Sequence, residues 1–139
     1  GIVVEASKKN QQLSVDGPTQ LTVMHDAKWT TEAIGNVLEN AVKYTGEDGQ
    51  IRVTVRRQEI FTVVEVTDTG RGIAAERQAQ IFGRFYREPE VHDRPGIGIG
   101  LYLTRKIMEA QDGYVDVVSK PGVGATFRLH LQNANVTEM

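Results

Sequence analysis

The chain has 139 residues, of which 40% are apolar and 24% charged; 16 Lys and Arg face 18 Asp and Glu for a formal charge of −2, and there is no cysteine. That length fits one compact domain and that composition an ordinary globular protein, which excludes two domains, a disordered chain, a disulfide framework and a zinc–thiolate cage. The arginines are scattered rather than massed as in a nucleic-acid-binding protein, and no apolar run nears the ~20 residues of a bilayer span, so the chain reads as cytoplasmic.

Leu13 and Val15 alternate with polar neighbours and predict a short first strand, although the opening 16 residues lack a start signal. Gly17-Pro18 marks a turn, and Leu21 to Met24 reads as a second strand. From Thr30 to Tyr44 the residues Ala33, Ile34, Val37, Leu38, Ala41 and Val42 recur at helical spacing, with Thr30 or Thr31 available as the cap. After the Gly46-Glu47-Asp48-Gly49 turn, Ile51, Val53 and Val55 alternate with Arg52, Thr54 and Arg56. That strand pairs antiparallel with Ile60 to Val66. Gly70 to Gly72 lead into a short helix from Ala75 to Phe82. Residues Tyr86 to Pro95 show no period and predict a mobile surface loop. Gly96, Gly98 and Gly100 open a second long helix that turns Leu103, Ile107 and Met108 inward and stops near Gly113, the favoured C-terminal cap. Strands Tyr114 to Val118 and Thr126 to Leu131 flank the turn Pro121 to Gly124, and Asn133 to Met139 are expected to fray. The order predicts a two-layer α/β sandwich, a mostly antiparallel sheet covered on one face by helices.

Three constellations suggest a nucleotide. Asn36, Asn40 and Lys43 fall within about 60° of helical arc. They suit a magnesium triphosphate, because a carboxamide oxygen is a hard neutral ligand and lysine a compact cation; a solvated helix face gives the same pattern. Asp68 shares strand parity with Val64 and Val66, so its carboxylate points to the apolar side and needs a donor such as an adenine amino group. Gly70 and Gly72 would let the backbone approach that base. An Asp-Thr-Gly turn in which Asp68 bonds its own backbone is the competing reading. Gly96 to Leu101 opens a helix whose free N–H groups would suit a phosphate cradle; a flexible lid hinge or a simple helix start gives the same spacing. Neither the dinucleotide fingerprint nor the Walker pattern fits, since a loop with Pro95 precedes and Leu101 follows.

In order, Asn36-Val37-Leu38-Glu39-Asn40-Ala41-Val42-Lys43-Tyr44-Thr45, Asp68-Thr69-Gly70-Arg71-Gly72-Ile73, Ile81-Phe82-Gly83-Arg84-Phe85-Tyr86-Arg87 and Gly96 to Leu101 resemble the N, G1, F and G2 boxes of the catalytic domain of bacterial sensor histidine kinases. These belong to the larger group that includes DNA gyrase B, the Hsp90 chaperones and the MutL proteins. The resemblance covers roughly residues 13 to 131.

It implies the layered fold of that group, with ATP held between the helices and a lid from about Phe82 to Gly100. Asn40, assisted by Asn36, would hold Mg²⁺. Lys43 would contact phosphates or ribose, Asp68 would read the adenine amino group, and Tyr44 and Ile73 would pack on the base. Gly70, Gly72, Gly96, Gly98, Gly100 and Leu101 would line the nucleotide, and Thr126 would stand near the adenine. Arg87 would reach the γ-phosphate, where a guanidinium stabilises developing charge, making Arg87 and Lys43 the catalytic pair; Arg84 is nominated only as an ion-pair partner.

The resemblance further implies an upstream dimerisation and histidine-phosphotransfer domain and a downstream response regulator as partners. Residues 1–132 would be the catalytic domain, with its N-terminal helix shortened or absent, and 133–139 a tail. Relatives that hydrolyse ATP carry a glutamate where this chain has Asn36, and a carboxamide cannot take a proton; transfer to an imidazole is expected instead of rapid hydrolysis. Glu39, about 60° around the helix, reads as a solvated glutamate. His25, His92 and His130 all lack the acceptor's sequence context.

Overall fold

The computed structural model describes residues 2–17, 26–83 and 100–134. In chain order the elements are α1 (Ile2–Lys8), β1 (Gln12–Asp16), α2 (Ala27–Tyr44), β2 (Gln50–Arg57), β3 (Phe61–Asp68), α3 (Ala75–Gln78), α4 (Gly100–Ala110), β4 (Tyr114–Lys120) and β5 (Gly124–Gln132). The strands form one sheet in the order β1-β2-β3-β5-β4, with β1 parallel to β2 and every other pair antiparallel. The expected strand at Leu21 to Met24 lies outside the described residues.

Strand alternation sorts side chains onto two faces. On one, Val53, Val66, Phe127 and Val117 stand in register across four strands, as do Val55, Val64, Leu129 and Val115. These rows pack against Ala33, Val37 and Ala41 of α2 and Met108 of α4, forming the hydrophobic core. Truncating Phe127 to alanine in such a core costs about 3–5 kcal/mol and truncating Leu129 about 2–5 kcal/mol. A third row runs Ile51, Asp68, Ala125, Ser119, and so places one carboxylate at the edge of the apolar layer. The opposite face is polar: Arg56 pairs with Glu65 at 2.5 Å, Arg128 grips Asp116 through two bonds of 2.9 and 2.7 Å, and Tyr114 stacks on His130 with ring centres 3.9 Å apart.

Several boundaries differ from expectation. The cap of α2 is Asp26, whose Oδ1 accepts from the N–H groups of Lys28 and Trp29 at 3.0 and 3.2 Å, so the helix starts a turn before Thr30. The N-terminal helix is present as seven residues, with Ala6 buried. In α4 the inward face is Leu101, Thr104, Ile107 and Met108, whereas Leu103 is 37% exposed: it lies one position before Thr104 and therefore 100° off the face that meets α2. Helix α3 is a single turn, with Ile81 and Phe82 buried beyond it. The left-handed residue closing α4 is Asp112 (φ 61°), while Gly113 allows a close approach, since a Cβ there would lie 2.1 Å from the His130 carbonyl. Asn133 is not frayed. It is buried, accepting from Thr62 Oγ1 at 2.6 Å and donating to the Gln58 carbonyl at 2.7 Å.

Candidate nucleotide-binding site

Helix α2 is the wall against which the loop after β3 and the start of α4 both lie. At its C-terminal end, Gly70 lies so close that a Cβ there would be 2.6 Å from the Tyr44 carbonyl and 2.9 Å from Asp68 Oδ1. The loop after β3 thus abuts the last turn of α2. Two turns earlier, Asn36 adjoins Gly100 at the start of α4, with 3.9 Å between its Cβ and a Cβ built on the glycine. Asn36, Asn40, Lys43 and Tyr44 are each partly exposed along this wall, and Ile73 and Leu101 pack against the core at its two ends. Glu39 is exposed, as expected of a solvated residue.

Asp68 is 7% exposed. Its Oδ1 accepts from Gly70 N–H at 2.8 Å and Ala125 N–H at 3.3 Å, while Oδ2 makes no hydrogen bond among the described residues. The aspartate thus turns back on its own backbone through Oδ1, as the Asp-Thr-Gly turn reading expects. Burial pushes its carboxyl above the usual carboxylate range, against the lowering effect of the two backbone donors.

Gly72 departs from expectation in what it meets: with φ +75° it packs against the β4–β5 turn, where a Cβ would fall 2.2 Å from the Lys120 carbonyl. Thr126 is a correction of the same kind. It stands on the polar face of the sheet, its hydroxyl 3.0 Å from that of Thr67, and Phe127 beside it takes the inward position. The residue opposite Asp68 is Ala125, which contributes its backbone N–H. Arg84, Arg87, Gly96 and Gly98, like His25 and His92, lie outside the described residues.

The sequence reading missed the residues that hold this wall in place. Ser119 Oγ accepts from Ile73 N–H and donates to the Gly124 carbonyl, both at 2.8 Å, and Gln78 Nε2 donates to the carbonyls of Ile73 and Ser119 at 3.0 and 3.1 Å. Ile73 is fixed through both its backbone groups. Lys9 Nζ donates to the carbonyls of Val42 and Lys43 at 2.8 and 3.3 Å, and the buried Gln11 amide donates to those of Val42 and Thr45 at 3.2 and 2.7 Å. These bonds satisfy carbonyls that the end of α2 leaves open. Ser119 was within reach of strand parity, two residues beyond Val117; Lys9 and Gln11 carried no periodic signal.

The chain matches the family of histidine kinase-, DNA gyrase B- and HSP90-like ATPases over residues 25–135. It belongs to that family. It is 34% identical over 130 residues to the sensor-like histidine kinase SenX3 of Mycobacterium tuberculosis, covering 92% of this chain and 32% of that protein. The chain thus spans about a third of the length of such relatives. The catalytic domain of histidine kinase ThkA superposes with a TM-score of 0.83 at 24% identity, over 96% of this chain and 88% of that one. Full-length ShkA, solved in complex with AMPPNP, gives 0.82 at 26% identity over 96% of this chain and 28% of its own. The family's mixed five-stranded sheet with helices on one face is the fold described above. Among the described residues no helix is long and apolar enough to cross a membrane.

The oxygen donors that this ATPase-family wall offers a cation are carboxamides. The Asn36 side-chain nitrogen is buried without a hydrogen-bond partner among the described residues, a donor suited to a phosphate oxygen rather than to the cation itself. A neutral amide oxygen beside phosphate oxygens is chemistry that Mg²⁺ accepts, and the residues fit the ion.

Proposed function

We propose that the chain is the ATP-binding catalytic domain of a sensor histidine kinase. In this reading it takes Mg²⁺–ATP between α2, the loop after β3 and the start of α4, and passes the γ-phosphoryl group to a histidine on a separate upstream dimerisation domain. A response regulator is the downstream receiver. The observation that carries the reading is Asp68, a buried carboxylate with one oxygen tied to the backbone and the other left for a donor, next to the end of the helix bearing Asn36, Asn40 and Lys43. The exocyclic amine of adenine supplies that donor, and hydrogen bonds to an ionised group are among the strong ones. ShkA, similar over nearly the whole of this chain, was solved with an ATP analogue, which supports the same ligand here.

Asn40, with Asn36, would hold Mg²⁺, which supplies charge neutralisation between the phosphates. Lys43 reaches toward phosphate or ribose oxygens, Tyr44 and Ile73 pack on the base, and Arg87 is assigned to the γ-phosphate. A bond from an imidazole nitrogen to phosphorus forms as the bridging P–O bond breaks, and ADP leaves with the electron pair. Asn36 cannot act as a general base toward water, which favours transfer over hydrolysis. The test is incubation with labelled ATP and a separately produced upstream helical segment: acid-labile phosphate on its histidine is expected. Steady release of inorganic phosphate with none on the segment refutes the assignment.

A further inference from the structure

The loop after β3 carries a cation that the roles given so far leave unused. Arg71 lies between two glycines whose positions are fixed by backbone contacts, Gly70 against the Tyr44 carbonyl and Gly72 against that of Lys120. Its own carbonyl accepts from Gly122 N–H at 2.8 Å. Pinned in this way, the residue sets its guanidinium carbon 4.8 Å from the centre of the Tyr44 ring, well within cation–π range. A second cation, Lys43 Nζ, lies 5.9 Å from the same centre, at the edge of that range. Tyr44 is the ring nearest Asp68 on α2, because Gly70 adjoins the tyrosine backbone and the Asp68 carboxylate at once.

We propose that Arg71 is a nucleotide-affinity residue: its guanidinium, laid on Tyr44, holds that ring as the stacking surface for the purine base. The inference rests on the nucleotide reading above and names a residue beyond it. A planar guanidinium on a π face orients the ring and draws electron density toward itself, leaving the ring a better partner for an electron-rich purine. The effect acts on the base. It therefore extends to adenosine, which carries no phosphate, and it disappears when the aromatic ring is removed. A guanidinium that acted on phosphate oxygens would do neither.

Calorimetric titration of Mg²⁺–ATP and of adenosine into the wild-type chain, Arg71→Ala, Arg71→Lys, Tyr44→Leu and the Arg71→Ala/Tyr44→Leu double variant decides the matter. Arg71→Ala is expected to weaken both ligands by a similar factor, about 3- to 10-fold, and Arg71→Lys to recover part of the loss. In the Tyr44→Leu background, Arg71→Ala should change adenosine affinity no further. Unchanged affinity in Arg71→Ala, a loss confined to ATP, or an equal loss with and without the ring each overturns the proposal. If the wild-type chain takes up neither ligand, the nucleotide reading falls and this inference with it. Should wild-type binding persist with its Asp68 dependence while Arg71→Ala is silent, the Arg71 role alone is lost.

Discussion

Asp68→Asn exchanges one oxygen for an NH₂ group with almost no change of volume, and its outcome can be worked from the hydrogen bonds. The amide oxygen takes over from Oδ1 and still accepts from Gly70 and Ala125. The NH₂ group then replaces Oδ2 and presents a donor to the donor on adenine. Losing a hydrogen bond to a charged group is worth about 1.5–3 kcal/mol, so ATP affinity should fall roughly 10- to 150-fold. Guanine carries an acceptor at the corresponding position, and GTP should lose far less or gain. The fold moves the other way: the raised pKa of Asp68 means that its ionised form is disfavoured inside the protein, and Asp68→Asn should be more stable than wild type at neutral pH without ligand. Competition titrations with ATP and GTP, together with urea unfolding, read both effects. A variant that keeps full preference for ATP refutes the placement of the base against this carboxylate.

Asn40→Ala should abolish the magnesium-dependent part of ATP binding, visible as affinity that no longer responds to EDTA. Gly72→Ala forces a Cβ into the Lys120 carbonyl at positive φ and should destabilise the chain by about 2–4 kcal/mol, measured as a lower urea midpoint. The two perturbed carboxylates predict opposite pH dependences. Asp116, partly buried but held below the usual range by Arg128 and His130, contributes stability that is present above its unfolded pKa and lost as pH falls through the lowered folded value. Asp68 favours the fold while protonated, and that contribution is lost as pH rises from the ordinary aspartate range through its raised value. Unfolding titrations from pH 3 to 7 on Asp116→Asn and Asp68→Asn should remove these slopes one at a time.

Features written in a short repeat were legible in the sequence. The apolar spacing of α2 and the alternation of β2 and β3 encode the sandwich, and strand parity alone sets Asp68 on the core side. The same parity, counted back from Phe127, places Thr126 outward; the family resemblance pulled it toward the adenine instead. The start of α2 was misread because a cap is one side chain bonding two amides, and Asp26, Thr30 and Thr31 are all competent residue types. Leu103 went astray because two adjacent apolar residues leave the centre of a helical face ambiguous by a third of a turn. The bracket of Lys9 and Gln11 had no sequence signature, since it joins polar side chains to carbonyls more than thirty residues away.

That bracket has a practical consequence. The helix that presents Asn40, Lys43 and Tyr44 is finished at its far end by side chains from the opening dozen residues, which bond carbonyls of its last turn, that of Lys43 among them. A shorter version trimmed to begin at Asp26 would retain the described α2, β3-loop and α4 residues of the pocket and still grip nucleotide poorly, because the last turn of α2 would unwind into water.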